Sequence, residues 1–322
     1  MTTILNMQED IINTGEQQTP EIIPKTFNDI QISTKTIIGV SNLTLNIEEL
    51  FKQLSVSTYI QVPKKRGRKK KESPPDPNIN LEEGSIITLK YMDEVRGVDL
   101  KKKKKSRSQK KFFRNALTIV MKIDNKLLNF KVSKNGKFQI TGSKKDEHAE
   151  KCIKYIWRNM NAINNDDNKI FKINGENLEI IFVTVMTNID FNLGFLVNRE
   201  NLDTYINMHT NHNSLLETSF GYTGVNIKIP FDDDININLK KISLVNDEWV
   251  ESIVNYKDYI NMLDIKDQEK ETKKSRYMTF LVFQSGNVIM SGMINTYMEK
   301  YYYNFFKIIN KCRDNIVEKL ES

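Results

Sequence analysis

Two glycine-bracketed hairpins, 150 residues apart, constrain this chain more than any other feature. The segment KNGKFQITG spans Lys134–Gly142 and QSGNVIMSG spans Gln284–Gly292, so Gly136 aligns with Gly286 and Gly142 with Gly292. Each first glycine sits where a tight hairpin needs a positive φ, and each pair brackets an alternating strand. A second short strand precedes each, LNFKVS in one case and TFLVFQ in the other. Self-similarity on this scale means that one structural unit is used twice, so the fold must accommodate two copies.

The rest of the unit repeats as well. After the first hairpin Ala149, Cys152, Ile153, Ile156, Trp157 and Met160 recur at helical spacing; after the second, Met298, Tyr301, Tyr302, Phe305, Ile308, Ile309 and Cys312 do. These stripes are read as core that covers one face of a sheet, with both cysteines as buried packing residues at related positions. Earlier in each half a strand precedes a short helix: Ile30–Val40 before NIEELFKQL, and Ile180–Phe191 before NRENLDTYI. The expected fold is α+β: two pseudo-symmetric repeats side by side, one antiparallel sheet, and helices on one face only. The other face is then left open, a candidate binding surface.

Charge narrows the partner. Between Gln61 and Lys111 there are 17 Lys and Arg against 7 Asp and Glu, a local excess of +10 in a chain whose net charge is +7. The remainder is therefore slightly acidic, and one region supplies the entire excess. Concentrated positive charge fits a polyanion, because neutralised phosphates release condensed counterions. Membrane surfaces also attract polybasic segments, but no amphipathic apolar face or lipidation signal accompanies this one, and no apolar run reaches the ~20 residues of a membrane span. With two cysteines and no visible signal peptide, the chain reads as intracellular with reduced thiols.

These residues resemble the TATA-binding-protein family, whose repeats carry an F-x-S-G-K-hydrophobic-x-x-T-G hairpin followed by a long helix. FQSGNVIMSG at Phe283–Gly292 is a close match, and SKNGKFQITG at Ser133–Gly142 a looser one. The resemblance covers both repeats, not the inserts or the tail. It implies a saddle whose curved sheet carries its helices on the convex face, and which binds a widened minor groove and kinks it with aromatic wedges. In the second repeat the implied wedges fall on Phe283 and Tyr222, and the phosphate-contacting base on Lys228. Leu281, Ile289 and Ser291 join Phe283 on the groove face, and Asn188 stands nearest the position that contacts central base pairs. In the first repeat the wedge positions fall on Ala116 and Ser133, which cannot part base steps. Its groove-facing residues are the polar Lys131, Gln139 and Thr141, with Lys122 as the phosphate contact and Gln31 in the place of the asparagine. The resemblance further implies A/T-rich double-stranded DNA, other transcription initiation factors and RNA polymerase as partners, and a monomer that is an internal pseudo-dimer. No cofactor is expected.

On this reading residues 1–26 are a disordered tail, 27–162 the first repeat with a basic insertion at 59–111, and 163–322 the second repeat with an insertion at 231–275. The first insertion opens with PKKRGRKKK at Pro63–Lys71, where Arg66 and Arg68 flank a glycine. Those residues suit an AT-hook, a nuclear-localisation tract or a solvated loop, and the sequence does not choose among them. SIITLKY and EVRGVDL then read as a hairpin, before a second run, KKKKKSRSQKK at Lys101–Lys111, whose position suits phosphate contact. Heavy use of Lys, Asn and Ile, with large inserts, resembles versions encoded by giant DNA viruses, which places the protein in a host nucleus, a viral factory or a virion.

Catalytic chemistry is not visible. His209 and His212 have ligand-like spacing but no evident third ligand. There is no phosphate-cradling loop, nucleophile elbow or carboxylate pair. Three readings compete: a promoter-recognition factor, an interaction or architectural module on the same saddle, and a packaging protein that binds DNA by charge alone.

Overall fold

Strands form where apolar residues alternate, and in β6 (Lys126–Ser133) the alternation is clean: Leu128, Phe130 and Val132 are buried between more exposed neighbours. A computed structural model of the chain describes residues 21–61, 77–100, 114–165, 169–217, 223–232, 234–293 and 295–318. The first half runs β1 (Ile32–Ser41), β2 (Leu43–Leu45), α1 (Ile47–Gln53), β3 (Ile86–Tyr91), β4 (Glu94–Gly97), β5 (Ala116–Ile123), β6, β7 (Lys137–Ser143) and α2 (Asp146–Ile163). The second runs β8 (Phe171–Ile173), β9 (Leu178–Asn192), α3 (Arg199–His209), β10 (Asn213–Glu217), β11 (Gly224–Pro230), β12 (Asn238–Val245), β13 (Glu248–Asn255), α4 (Tyr256–Met262), α5 (Ile265–Thr272), β14 (Tyr277–Phe283), β15 (Asn287–Gly292) and α6 (Asn295–Ile316).

The main sheet has the order β10-β11-β14-β15-β9-β1-β7-β6-β5-β3-β4, all antiparallel. Read outward from the central β9–β1 pair, each side gives the same series: long strand, hairpin, outer strand. The local signals repeat too. Asn46 caps α1 by accepting from the Glu49 amide, and Asn198 caps α3 by accepting from the Asn201 amide. The β3–β4 hairpin from the basic insertion extends one end of the sheet beyond β5, and β10 extends the other beyond β11.

Two apolar cores lie under the long helices. The first joins Phe130, Phe138 and Ile140 to Ile153, Ile156 and Met160 of α2. The second joins Phe280, Val282 and Met290 to Tyr302, Phe305 and Ile309 of α6, with Phe280 and Phe305 stacked at 4.3 Å. Such a stacked pair contributes about 0.5–1.5 kcal/mol beyond the area it buries. Cys152 and Cys312 are both fully buried, and burial pushes each thiol up to about 12. They are not at related positions, however. Cys152 lies in the second turn of α2, where the second repeat has Tyr302, while Cys312 lies near the end of α6.

The expectation of helices on one face alone is also corrected. Ile153 of α2 packs against Gly39 and Ile180, which marks the face of β1 and β9 that the long helices cover. Alternation puts Val40, Ile181 and Val183 on the opposite face, and there they meet Tyr256 and Tyr259 of α4 and Leu239 of β12 in a third core. Strand β12 pairs with the free edge of β9 at Leu178–Ile181, and this pairing delivers α4 and α5 across the sheet. Lys137 of β7 then pairs with Asp267 of α5 at 3.0 Å. Two lysine ammonium groups, Lys270 and Lys137, donate to the Asp267 carboxylate and hold it down at about 2.

One buried group gives the fold a pH dependence. His148 at the start of α2 is 3% exposed, with Nδ1 3.2 Å from Ser143 Oγ and Nε2 3.4 Å from Asp124. Burial lowers its pKa despite the neighbouring carboxylate, and burial lowers that of His212 as well. The unfolded chain therefore binds protons more readily, so stability is present above the ordinary histidine value and falls as pH drops below about 6.5. Thermal melts between pH 7.5 and 5.5 should show this loss, and His148→Gln should reduce it. A pH dependence identical in both proteins would mean that His148 binds protons equally well in the folded and unfolded chain.

Candidate nucleic-acid interface

The sheet face opposite α2 and α6 differs sharply between its two halves. In the second half Lys228, Thr279, Ser291 and Asn188 stand in one cross-strand row. Asn226, Leu281, Ile289 and Asp190 form the next, and Gly224 and Phe283 the one beyond. Leu281, Phe283, Ile289, Ser291 and Asn188 are all partly exposed, Lys228 is exposed, and the three apolar ones belong to none of the three cores. Phe283 and Ile289 line a shallow groove of about 820 Å³ with Asn287, Asp190 and Thr223. Leu281 leans over Gly224, which leaves room for it by having no side chain. Asn188 donates from Nδ2 to Thr34 Oγ1 at 3.2 Å, while its Oδ1 is buried without a partner among the described residues. Asp190 sets one carboxylate beside Ile289, with Ser33 Oγ donating to it at 3.3 Å.

The first half is polar and partly covered. Gln139 and Thr141 are exposed and Lys131 half-buried on the same face, as alternation predicts. Thr141 Oγ1 donates to the Asn129 carbonyl. Ser133, across from Ala116, spends its hydroxyl inside the hairpin turn on Asn135 Oδ1 and the Lys137 backbone. Beyond Lys137 and Val40 the face is occupied by α4 and α5.

Register corrects three correspondences implied by the resemblance, Ala116 with Tyr222, Lys122 with Lys228 and Gln31 with Asn188. Phe283 faces Gly224 as Ser133 faces Ala116, so β5 and β11 correspond with an offset of 108 rather than 106. Lys228 therefore matches Val120, and Lys122 matches Pro230. Lys122 is also engaged, donating from Nζ to the Leu81 carbonyl of the inserted segment, which removes it from the place of a free phosphate contact. Asn188 pairs with Ser291 as Thr36 pairs with Thr141, so Thr36 is its counterpart. Gln31 lies exposed just before β1, outside the strand. Matching positions in β1 and β9 are 152 residues apart, against 150 in the hairpins, a difference that only the ladder reveals. Tyr222, Arg66, Arg68 and the run Lys101–Lys111 lie outside the described residues.

Among the described residues no helix is long and apolar enough to cross a membrane. No cluster of three or more His, Cys, Asp or Glu able to hold a metal occurs among them either.

No protein-family model matches the chain. A curated relative, titled "Uncharacterized protein 335L", comes from Invertebrate iridescent virus 6; it is 25% identical over 298 residues, covering 88% of this chain and 84% of that protein. Among solved structures, Methanococcus jannaschii TBP is similar with a TM-score of 0.42 and 13% identity, over 88% of this chain and 98% of that one.

Proposed function

We propose that this protein is a DNA-binding factor, not an enzyme, that engages A/T-rich promoter DNA through the minor groove with the second-repeat half of its sheet. The observation that carries the reading is the partly exposed strip Leu281, Phe283 and Ile289, which packs into no core and lies beside the exposed Lys228. Minor-groove base edges present few donors, so an apolar strip complements them better than it does a major groove. An aromatic side chain at the edge of such a strip can enter between base steps, and a flanking lysine can meet a phosphate. The basic excess at 61–111 adds attraction that does not depend on sequence. In this reading the polymerase and other initiation factors are recruited by surfaces outside the strip, and the place of action is wherever viral promoters are transcribed.

The cover over the first half favours a second reading. With α4 seated on Val40, Ile181 and Val183 and α5 tied to Lys137, a duplex cannot lie along the whole face. A factor of this shape touches a shorter site, so an architectural role with weak base preference is its natural alternative.

Fluorescence anisotropy on matched A/T-rich and G/C-rich duplexes, from 50 to 200 mM salt, separates the two. The promoter reading expects at least about tenfold preference for A/T, the effect of a single mismatched base pair in a specific site. It also expects Asp190→Asn to tighten binding, since the change removes a carboxylate from the contact strip. Equal affinities with an unresponsive Asp190 variant would replace it with the architectural reading.

A further inference from the structure

A second surface, away from the strip, has the character of an anion site. At the end of the first repeat a groove of about 1050 Å³ opens between β2, the start of α1 and the segments flanking β5 and β8. Arg114, Lys134, Lys169 and Lys172 line it, and all four are exposed. Glu48, the one carboxylate in the lining, is already paired with Lys52 at 2.7 Å.

Several lysines elsewhere are paired with carboxylates: Lys35 with Asp146, Lys151 with Asp124, Lys240 with Glu150, Lys241 with Glu179. No described carboxylate lies within ion-pair distance of any of the four groove cations. They come from three stretches of chain: the lead into β5, the β6–β7 turn, and the segment from the end of α2 into β8, which carries both Lys169 and Lys172. Convergence of like charge from separate segments is unfavourable in the free protein and is relieved when an anion enters.

We propose that this groove holds the phosphodiester backbone of double-stranded DNA. This rests on the reading that the protein binds DNA. In the sequence the basic run Lys101–Lys111 ends three residues before Arg114. A duplex suits the lining better than a single strand does. Single strands are held largely by bases stacked on free aromatic faces. The two aromatic residues here are engaged, Phe171 against Trp157 at 4.7 Å and Tyr91 against Phe51 at 6.0 Å. The polar remainder of the groove, Asn115 and Asn164 among it, suits phosphate and sugar contacts that position without reading sequence.

The test uses the full chain with Arg114, Lys134, Lys169 and Lys172 replaced by serine, and a second variant with the three lysines replaced by arginine. Duplex binding is followed by anisotropy as salt is varied, and bending by fluorescence transfer between duplex ends. Each lost phosphate contact should reduce the slope of log affinity against log salt by about 0.9, so the serine variant should lose about 2 to 4 in slope. The arginine variant should retain the slope, which excludes misfolding as the cause. Bending should persist in both. An unchanged slope in the serine variant overturns the groove while leaving the strip intact. A reduced slope with no bending in any protein, wild type included, supports the groove and sinks the wedge reading. Tighter binding of single strands than duplexes at the groove, or displacement of DNA only by acidic peptide, overturns the assignment to a duplex backbone. Absence of DNA binding by the wild type overturns both.

Discussion

Phe283→Ala is expected to weaken duplex binding by about 10- to 100-fold and to abolish most of the DNA bend. Parting a base step costs a few kcal/mol, which the inserted ring helps to offset, and each 1.4 kcal/mol is about tenfold in affinity. The ring is partly exposed at the end of β14 and supports no core, so its removal should leave the melting temperature nearly unchanged. Ser133→Ala, at the equivalent place of the first repeat, should leave bending as it is, because that hydroxyl serves only its own turn. Ser133→Phe should not create a second kink either. The adjoining Lys137 is held under α5 by Asp267, so a new ring there meets protein rather than a base step. Fluorescence transfer between duplex ends, measured for all three variants, decides the matter. Equal and small effects of Phe283→Ala and Ser133→Ala would mean that neither half wedges DNA.

The second large effect concerns folding. Gly286 lies at φ 78 in the turn between β14 and β15, and a Cβ there would collide with the backbone carbonyl oxygen of Phe195. Gly136 is its counterpart at φ 69, facing the carbonyl of Leu43. Gly286→Ala therefore combines a left-handed backbone penalty with displacement of a neighbouring chain segment, together about 2–4 kcal/mol. In a chain of this size that is a fall in melting temperature of about 5–15 °C. Gly142→Ala is the internal control. Its φ is 77, yet nothing lies within 4 Å of the added carbon, so it should lose only the backbone penalty, about 1–2 kcal/mol. Comparable melting temperatures for the two variants would show that the hairpin turn yields without cost.

Much of the architecture was legible before any coordinates because its determinants are local. A turn glycine, an alternating strand and a helical stripe each announce themselves within ten or so residues, and their recurrence identifies the repeat. Asn46 and Asn198 cap their helices for the same local reason, and the hairpin predicted after Gly84 is present as β3 and β4. The apolar strip was legible too, since Leu281, Phe283, Ile289 and Ser291 follow directly from period-two alternation around Gly286.

What only the tertiary structure decided depends on register between distant strands. The resemblance made Lys122 the counterpart of Lys228 and put Gln31 near the asparagine position, whereas the ladder gives those places to Val120 and Thr36. Within β9 one extra residue, Val185, forms a bulge opposite Thr36 and Ile37 and reverses the faces of the residues before it. Ile181 and Val183 thereby turn to the open side. Whether that side stayed open then rested on β12 finding the free edge of β9, more than fifty residues away in sequence. A seven-residue α4 carries too short a stripe to reveal which surface it will cover, and no local preference of its residues specifies a partner. Chain-local physics thus determined two hairpin-and-helix units of similar design, while long-range pairing covered part of the open face in the first half and left it exposed in the second.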